Sequence, residues 1–161
     1  MQDRLEQIYR EHRQGLFTLA LSITRSVDLA EDAVQEAMAR LWQTARRPDG
    51  DWVAYVFASV RNAALGAARR RRTVAALPAS IYDPNQPPPA GSLIDEERRR
   101  RVRGAMDRLP ARQRQAIVLR LYAGLSFRQI AEVLAEPLPT VASRYRRGLL
   151  AIKEILDGAG D

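Results

Sequence analysis

The sequence predicts an all-α fold of two small helical domains joined by a proline-rich linker, with a helix-turn-helix in the second domain. Three observations lead to this prediction. Apolar residues recur at the three- and four-residue spacing of amphipathic helices over most of the 161 residues. Residues 73–94 interrupt this periodicity with a cluster of prolines. Residues 125–147 have the pattern of two short helices joined by a tight turn.

The predicted first domain, residues 1–72, is expected to be wholly helical, with amphipathic helical segments up to Ile23, a second helix from Asp28 and a third from Trp52. Apolar stripes at helical spacing run along each of them, and the third helix begins at Trp52. Asp28, with Glu31 three residues later, is expected to cap the second helix through a capping box. Residues 46–51 contain proline, glycine and two aspartates, which is typical of a turn.

The second predicted helix carries an acidic exposed face. Its members are Glu31, Asp32, Gln35 and Glu36. In a chain of net charge +7, an acidic helix face suggests a protein partner rather than a nucleic acid. The alternative is a solvated face whose carboxylates favour the helix N-terminus. The residues by themselves leave both interpretations open.

The basic residues indicate a polyanionic partner. The chain has 26 basic and 19 acidic residues, and its sequence pI is about 10.7. Four arginines in succession end the third predicted helix: Arg69, Arg70, Arg71 and Arg72. Cations at a helix C-terminus complement its dipole. Four consecutive arginines without an interspersed acid are more than the helix dipole requires, which favours a role in phosphate binding.

The predicted linker, residues 73–94, differs in composition from both of its flanks. It carries one charged residue, Asp83, and residues 78–92 include five prolines. Such a stretch cannot form a regular core. The predicted second domain, residues 95–161, is again helical and strongly charged, with 14 basic and 9 acidic residues.

Limited proteolysis of the folded chain is expected to cut first within residues 73–94, because proteases act on segments without packed regular structure. Mass spectrometry of the earliest fragments locates the first cut. Early cleavage inside residues 28–72 or 111–156, with 73–94 protected, would contradict the division into two domains.

Residues 125–147 carry the sequence signals of a helix-turn-helix. Ser126 and Gln129 have the spacing of a capping box at the start of the first helix. Pro137 cannot continue that helix, and Pro139 suits the first turn of a new one. These signals predict two helices joined by a short turn.

The second helix of this motif has an arginine-rich open face. The residues expected to face the core are Val141, Tyr145, Gly148, Leu149 and Ile152. The residues left on the open side are Ser143, Arg144, Arg146 and Arg147, with Thr140 at the helix start. Arginines placed in this way suit the major groove of DNA. The alternative is an ordinary helical hairpin with a solvated basic face.

The sequence lacks the residues and motifs that several kinds of metal site and catalytic site require. The chain has no cysteine and one histidine, His12, so no metal site and no thiol nucleophile is expected. No glycine-rich phosphate loop or nucleophile elbow is present, so neither an enzymatic activity nor a cofactor is expected. No long apolar run or signal peptide is found, which predicts a soluble cytoplasmic protein without membrane insertion.

Two motifs resemble one family. AEDAVQEAMARLW, residues 30–42, is similar to the helix with which extracytoplasmic-function (ECF) sigma factors dock on bacterial RNA polymerase. Residues 109–147, beginning LPARQRQAIVLRLYAGLSFRQIAEVL, are similar to the C-terminal signature of the same sigma-70 family group. The resemblance implies sigma region 2 in residues 1–72 and region 4 in 95–161. It implies as partners the polymerase core, through its β′ clamp and β subunit, promoter DNA and, as in many members, an anti-sigma factor.

The resemblance also implies roles for individual residues. Those expected to contact the β′ subunit are Asp32, Gln35 and Glu36. Asn62 matches an asparagine that reads an extruded base of the minus-ten element, and Trp52 and Tyr55 match aromatic positions near the melted strand. The residues expected to hold phosphates there are Arg61, Arg69, Arg70, Arg71 and Arg72. Those matching the helix that reads the minus-35 element are Thr140, Ser143, Arg144 and Arg147.

The sequence departs from the family pattern at several positions. The loop after Trp42 is shorter than usual, and Ala142 replaces a frequent basic reader. Ala135 and Glu136 occupy the turn where a glycine is common, and Gly148 replaces an alanine. Two rival functions follow. One is a helix-turn-helix regulator that binds duplex DNA without polymerase, and the other is a degenerate sigma-like protein that acts only through protein partners.

Overall fold

The computed structural model describes residues 2–44, 47–72 and 93–159. Every regular element in these ranges is a helix, which confirms the predicted all-α class. Most of the predicted linker, residues 73–92, lies outside the described ranges.

The helices follow one another in a simple order. The first three are α1 (Gln2–Thr24), α2 (Val27–Gln43) and α3 (Trp52–Arg72). The remaining elements are α4 (Leu93–Arg108), α5 (Ala111–Ile117), a π-helix (Val118–Tyr122), α6 (Phe127–Leu134) and α7 (Leu138–Ala159).

Helices α1, α2 and α3 pack against one another as a three-helix unit. Their apolar stripes meet in the interior, where Leu16, Met38 and Phe57 are fully buried. The prediction that Asp28 caps α2 was wrong. Ser26 is the cap, because its extended backbone lets its side chain accept a hydrogen bond from the Leu29 backbone N–H.

Helices α4 to α7 form the second unit. The predicted capping box is present: Ser126 Oγ accepts from the Gln129 backbone N–H at 3.1 Å, and Gln129 Oε1 accepts from the Ser126 backbone N–H at 2.9 Å. Helix α6 is capped at its C-terminus by Ala135, which has the left-handed φ of 53° that glycine favours. The predicted helix-turn-helix is therefore present in α6 and α7.

Close packing of α5 against α7 accounts for the unusual Gly148. Gly148 is buried, and a Cβ atom there would lie 2.6 Å from Ile117 Cδ1. An alanine at this position would require the Ile117 side chain to move. The prediction that Leu149 faces the core was wrong: the residue is 38% exposed, and the neighbouring Leu150 is 55% exposed.

The two helical units are in contact. Helix α3 packs against α6, and α1 packs against α5 and the π-helix, so that the buried apolar residues form one continuous cluster. One close contact between the units is at Gly15, where a Cβ atom would lie 3.0 Å from both Cα and Cβ of Ala123. Whether residues 1–72 and 95–161 fold independently stays a prediction.

Candidate nucleic-acid and protein interfaces

The arginine-rich face predicted for the recognition helix lies on the first half of α7. Thr140 and Ser143 are partly exposed, and Arg147 is exposed. The Arg144 side chain is 33% exposed. Because Arg144 and Arg147 are one helical turn apart, they lie on the same side of α7 and could reach neighbouring base pairs or phosphates.

An ion-pair network supports this face, and the sequence interpretation did not assign it a role. Glu136, in the turn between α6 and α7, accepts hydrogen bonds from Arg112 Nη1 at 2.8 Å and from Arg144 Nε at 2.8 Å and 3.1 Å. Its side chain is 11% exposed. The only sequence signal for this network was the departure from the family pattern at the turn.

The Glu136 carboxylate titrates below its ordinary range. Burial raises the pKa of Glu136, but the hydrogen bonds and charges of Arg112 and Arg144 outweigh burial and lower it below 4.5. Because the pKa of this carboxylate is lower in the folded than in the unfolded chain, its ionisation stabilises the folded state at pH values above the unfolded-state pKa. That contribution is lost as pH falls through the lowered pKa.

The residues expected to meet melted DNA lie on α3. Asn62 is exposed, whereas Trp52 and Tyr55 are partly buried against the core. The Arg4 guanidinium lies 5.2 Å from the Trp52 ring centroid. Tyr55 lines a cleft of about 400 Å³ at the N-terminal end of α3, where Glu132 of α6 forms part of the wall.

Arg61 contacts the second helical unit. Its Nε atom donates a hydrogen bond to Oε1 of the buried Gln115, on α5, at 2.7 Å. Burial lowers the pKa of Arg61, the charge of Arg112 lowers it further, and the carboxylate of Glu136 opposes both effects. Arg61 of the first unit, a candidate for binding DNA phosphate, is therefore hydrogen-bonded to the second unit.

The arginine run at the end of α3 divides into different environments. Arg69 and Arg70 are exposed. Arg71 Nη1 donates to the backbone carbonyls of Thr24 at 3.1 Å and Arg25 at 3.4 Å, so Arg71 satisfies carbonyl groups at the end of α1. The side chain of Arg72 lies outside the described part of the chain.

The acidic face of α2 is exposed as expected. Asp32, Gln35 and Glu36 occupy one side of the helix. Gln35 Nε2 donates to the Tyr9 hydroxyl at 3.3 Å, and Glu36 forms an ion pair with Arg40 at 2.7 Å. Asp32 and Gln35 also border a shallow groove of about 400 Å³ between α1 and α2, whose floor includes aromatic side chains of α1.

The described part of the chain offers neither a metal-binding cluster nor a membrane-spanning helix. Within the described ranges, no cluster of histidine, cysteine or carboxylate side chains could hold a metal ion. Among the helices described, none combines the length and apolar character needed to cross a bilayer.

Comparison with known families gives the class of protein. Residues 8–74 match the model of sigma-70 region 2, and residues 99–152 match that of sigma-70 region 4. The first match contains α3 and the acidic face of α2, and the second contains the helix-turn-helix. Together the fold and the two matches define a sigma-70 type factor. More particularly, its similarity to ECF sigma factors over almost its whole length identifies the chain as a member of the ECF group of that family.

Sequence similarity to known sigma factors extends over almost the whole length of this chain. The chain is 26% identical to the ECF RNA polymerase sigma factor SigK of Mycolicibacterium vanbaalenii, over 92% of this chain and 79% of that protein. It is 27% identical to SigK of Mycobacterium bovis, over 94% of this chain and 84% of that protein.

Two solved structures share the fold. The sigma factor RpoE of Bartonella quintana, crystallised with the anti-sigma factor NepR, superposes with a TM-score of 0.76 at 25% identity, covering 98% of each chain. CnrH, solved with the cytosolic domain of CnrY, has a TM-score of 0.70 at 22% identity, covering 98% of this chain and 90% of CnrH.

Proposed function

We propose that this ECF sigma factor directs bacterial RNA polymerase to promoters by binding two DNA elements, while the polymerase performs the chemistry. The observation that carries the proposal is the capped helix-turn-helix, in which α7 presents Arg144 and Arg147 on one side. In this proposal α7 enters the major groove of the minus-35 element. A bidentate arginine–guanine contact there is worth about 1–3 kcal/mol of base discrimination.

The first unit would act on the minus-ten element. Asn62 is exposed on α3 and is uncharged, so it suits hydrogen bonding to an extruded base. Trp52 and Tyr55 would supply stacking surface once the strands separate, and Arg61 would hold a phosphate. Arg69 and Arg70 would neutralise further phosphates without selecting a base. Arg71 is better explained as a structural residue, because it is bonded to the end of α1.

The expected signature of this division is a difference in salt dependence. Replacing Arg69 and Arg70 with glutamine should weaken promoter binding and reduce the salt slope by about one to two units, because fewer counterions are released. Asn62→Ala should impair strand opening with little change in slope. Open-complex formation across a salt series measures both effects. Equal slopes for the two variants and the wild type would contradict the division.

Docking on the polymerase is assigned to the acidic face of α2. Asp32, Gln35 and Glu36 would bind a basic surface of the β′ clamp, and the second unit would contact the β subunit. RpoE was crystallised with the anti-sigma factor NepR, and CnrH was solved with the cytosolic domain of CnrY. An anti-sigma partner is therefore proposed for this chain as well. Because RNA polymerase and promoters are in the bacterial cytoplasm, the protein is proposed to act there.

Promoter binding would require the two helical units to separate. Arg61 is bonded to Gln115, and Gln129 Nε2 of α6 donates to Asp51 at the start of α3 at 3.2 Å. Glu132 also lies beside Tyr55 in the cleft where a base would enter. A single chain that reads two separated DNA elements gains affinity only if its geometry lets both sites engage at once.

Transcription in vitro tests the proposed function. Purified chain added to bacterial core polymerase should produce initiation at discrete sites on a pool of genomic fragments, whereas core polymerase alone should not. Binding of duplex DNA without any polymerase dependence would instead support a conventional helix-turn-helix regulator. Association with polymerase without initiation would support a degenerate sigma-like protein.

A further inference from the structure

Glu136 occupies a position from which it can control the direction of a DNA-reading arginine. We propose that Glu136 is a positioning residue that orients Arg144 and thereby sets base selectivity in the upstream element. The inference rests on the proposed function, because it requires α7 to read DNA.

The contact leaves the reading end of Arg144 available. Both Glu136 oxygens accept from Nε of Arg144, at 2.8 Å and 3.1 Å. The two terminal Nη groups extend beyond Nε, and these are the atoms that a bidentate contact with guanine uses. A restraint at Nε therefore limits the rotamers of Arg144 without occupying its outer donors.

The carboxylate is itself held in place. Arg112 Nη1, from α5, donates to Glu136 Oε1 at 2.8 Å. Nη1 of Arg112 also lies 3.5 Å from the carbonyl oxygen of Leu134. With its side chain only 11% exposed, Glu136 has little freedom to follow a moving partner. The network therefore links the helix-turn-helix to α5 and fixes the angle from which Arg144 approaches DNA.

The charge of Glu136 has a second effect. One carboxylate lies between two guanidinium groups, so it lowers the positive potential beside the reading face. Removing it would leave both arginines available for any phosphate. Affinity for DNA of arbitrary sequence should then rise while discrimination falls. Loss of folding would instead lower affinity for every sequence.

Base selection from a randomised duplex library tests this inference. The wild-type full chain, bound to core polymerase, is compared with Glu136→Gln and Glu136→Ala by sequencing the retained DNA. Glu154→Gln is the control, because it removes the same charge from an exposed position farther along α7. We expect base preference at one upstream position to fall about tenfold in Glu136→Ala and less in Glu136→Gln. Retention of unrelated duplex should increase.

A double-mutant cycle separates positioning from a purely structural role. If Glu136 acts through Arg144, the variant lacking both side chains should lose no more selectivity than Arg144→Ala alone. Additive losses in the cycle, or unchanged base preference in both Glu136 variants, would overturn the inference. If the wild type itself selects no sequence, the proposed function has failed. Thermal unfolding of each variant identifies loss of folding, and Glu136→Gln then serves as the isosteric test.

Discussion

The double substitution Asp32→Arg with Glu36→Arg is expected to abolish association with core RNA polymerase while leaving helix content and the melting temperature nearly unchanged. Both side chains are exposed on α2, so arginine can occupy either position without disturbing the core. The change reverses two charges on the proposed docking face, so attraction to a basic partner surface becomes repulsion. The Glu36–Arg40 pair is lost, but exposed pairs of this type contribute only about 0.3–0.5 kcal/mol.

A matched control exists on α1 of the same unit. Glu6→Arg with Glu11→Arg makes the same change in net charge at exposed positions outside the acidic face. This control should retain polymerase binding. Co-purification with core polymerase, followed by circular dichroism of each protein, gives both readouts. Wild-type recovery of polymerase by the α2 variant would refute the docking assignment.

The second large effect is expected from locking the two helical units together. The chain has no cysteine, so Gly15→Cys with Ala123→Cys introduces a single pair. A Cβ atom at Gly15 would lie 3.0 Å from Ala123 Cβ, so the two positions must move apart by at least about 0.5 Å to reach disulfide spacing. The oxidised protein should fail to support promoter-directed initiation, because the units could no longer separate. Reduction should restore it.

The redox comparison uses one protein as its own control. Thiol titration establishes whether the bond has formed before transcription is measured, and each single-cysteine variant controls for the substitutions themselves. Initiation by fully cross-linked protein at the wild-type rate would show that separation at this contact is not needed.

Local signals in the sequence were sufficient for the helices and for the helix-turn-helix. Apolar spacing depends only on helical geometry, so the stripes that bury Leu16, Met38 and Phe57 can be found without knowing what they pack against. The capping box of Ser126 and Gln129 involves residues three apart, and it was confirmed for the same reason. The acidic face of α2 could be predicted in the same way, because its residues lie on the side of the helix opposite the apolar stripe.

Nearby alternatives limited the local predictions. Ser26 and Asp28 are both good capping residues, and the choice between them depends on where the chain leaves α1. Arg25 has a left-handed φ of 56°, and the extended backbone of Ser26 follows it. Helical spacing likewise predicted that Leu149 faces the core. In the structure α7 packs on α5 through another of its faces, and Leu149 is exposed.

The remaining features were decided by contacts between residues far apart in the chain. Composition predicted that Arg71 binds phosphate, and only the packed structure shows that its guanidinium donates to a carbonyl group at the end of α1. Arg61, for which a phosphate contact is still proposed, donates to Gln115 of the other unit. In the sequence, Glu136 stood out only as an unusual residue in the turn. In the structure, Arg112 of α5 and Arg144 of α7 both form ion pairs with its carboxylate. Which segments are helical and which faces carry charge could be predicted from the sequence alone, because both depend on short-range spacing. The partners of the buried charges, in contrast, depend on tertiary packing, because such a charge pairs with groups on the helices that pack beside it.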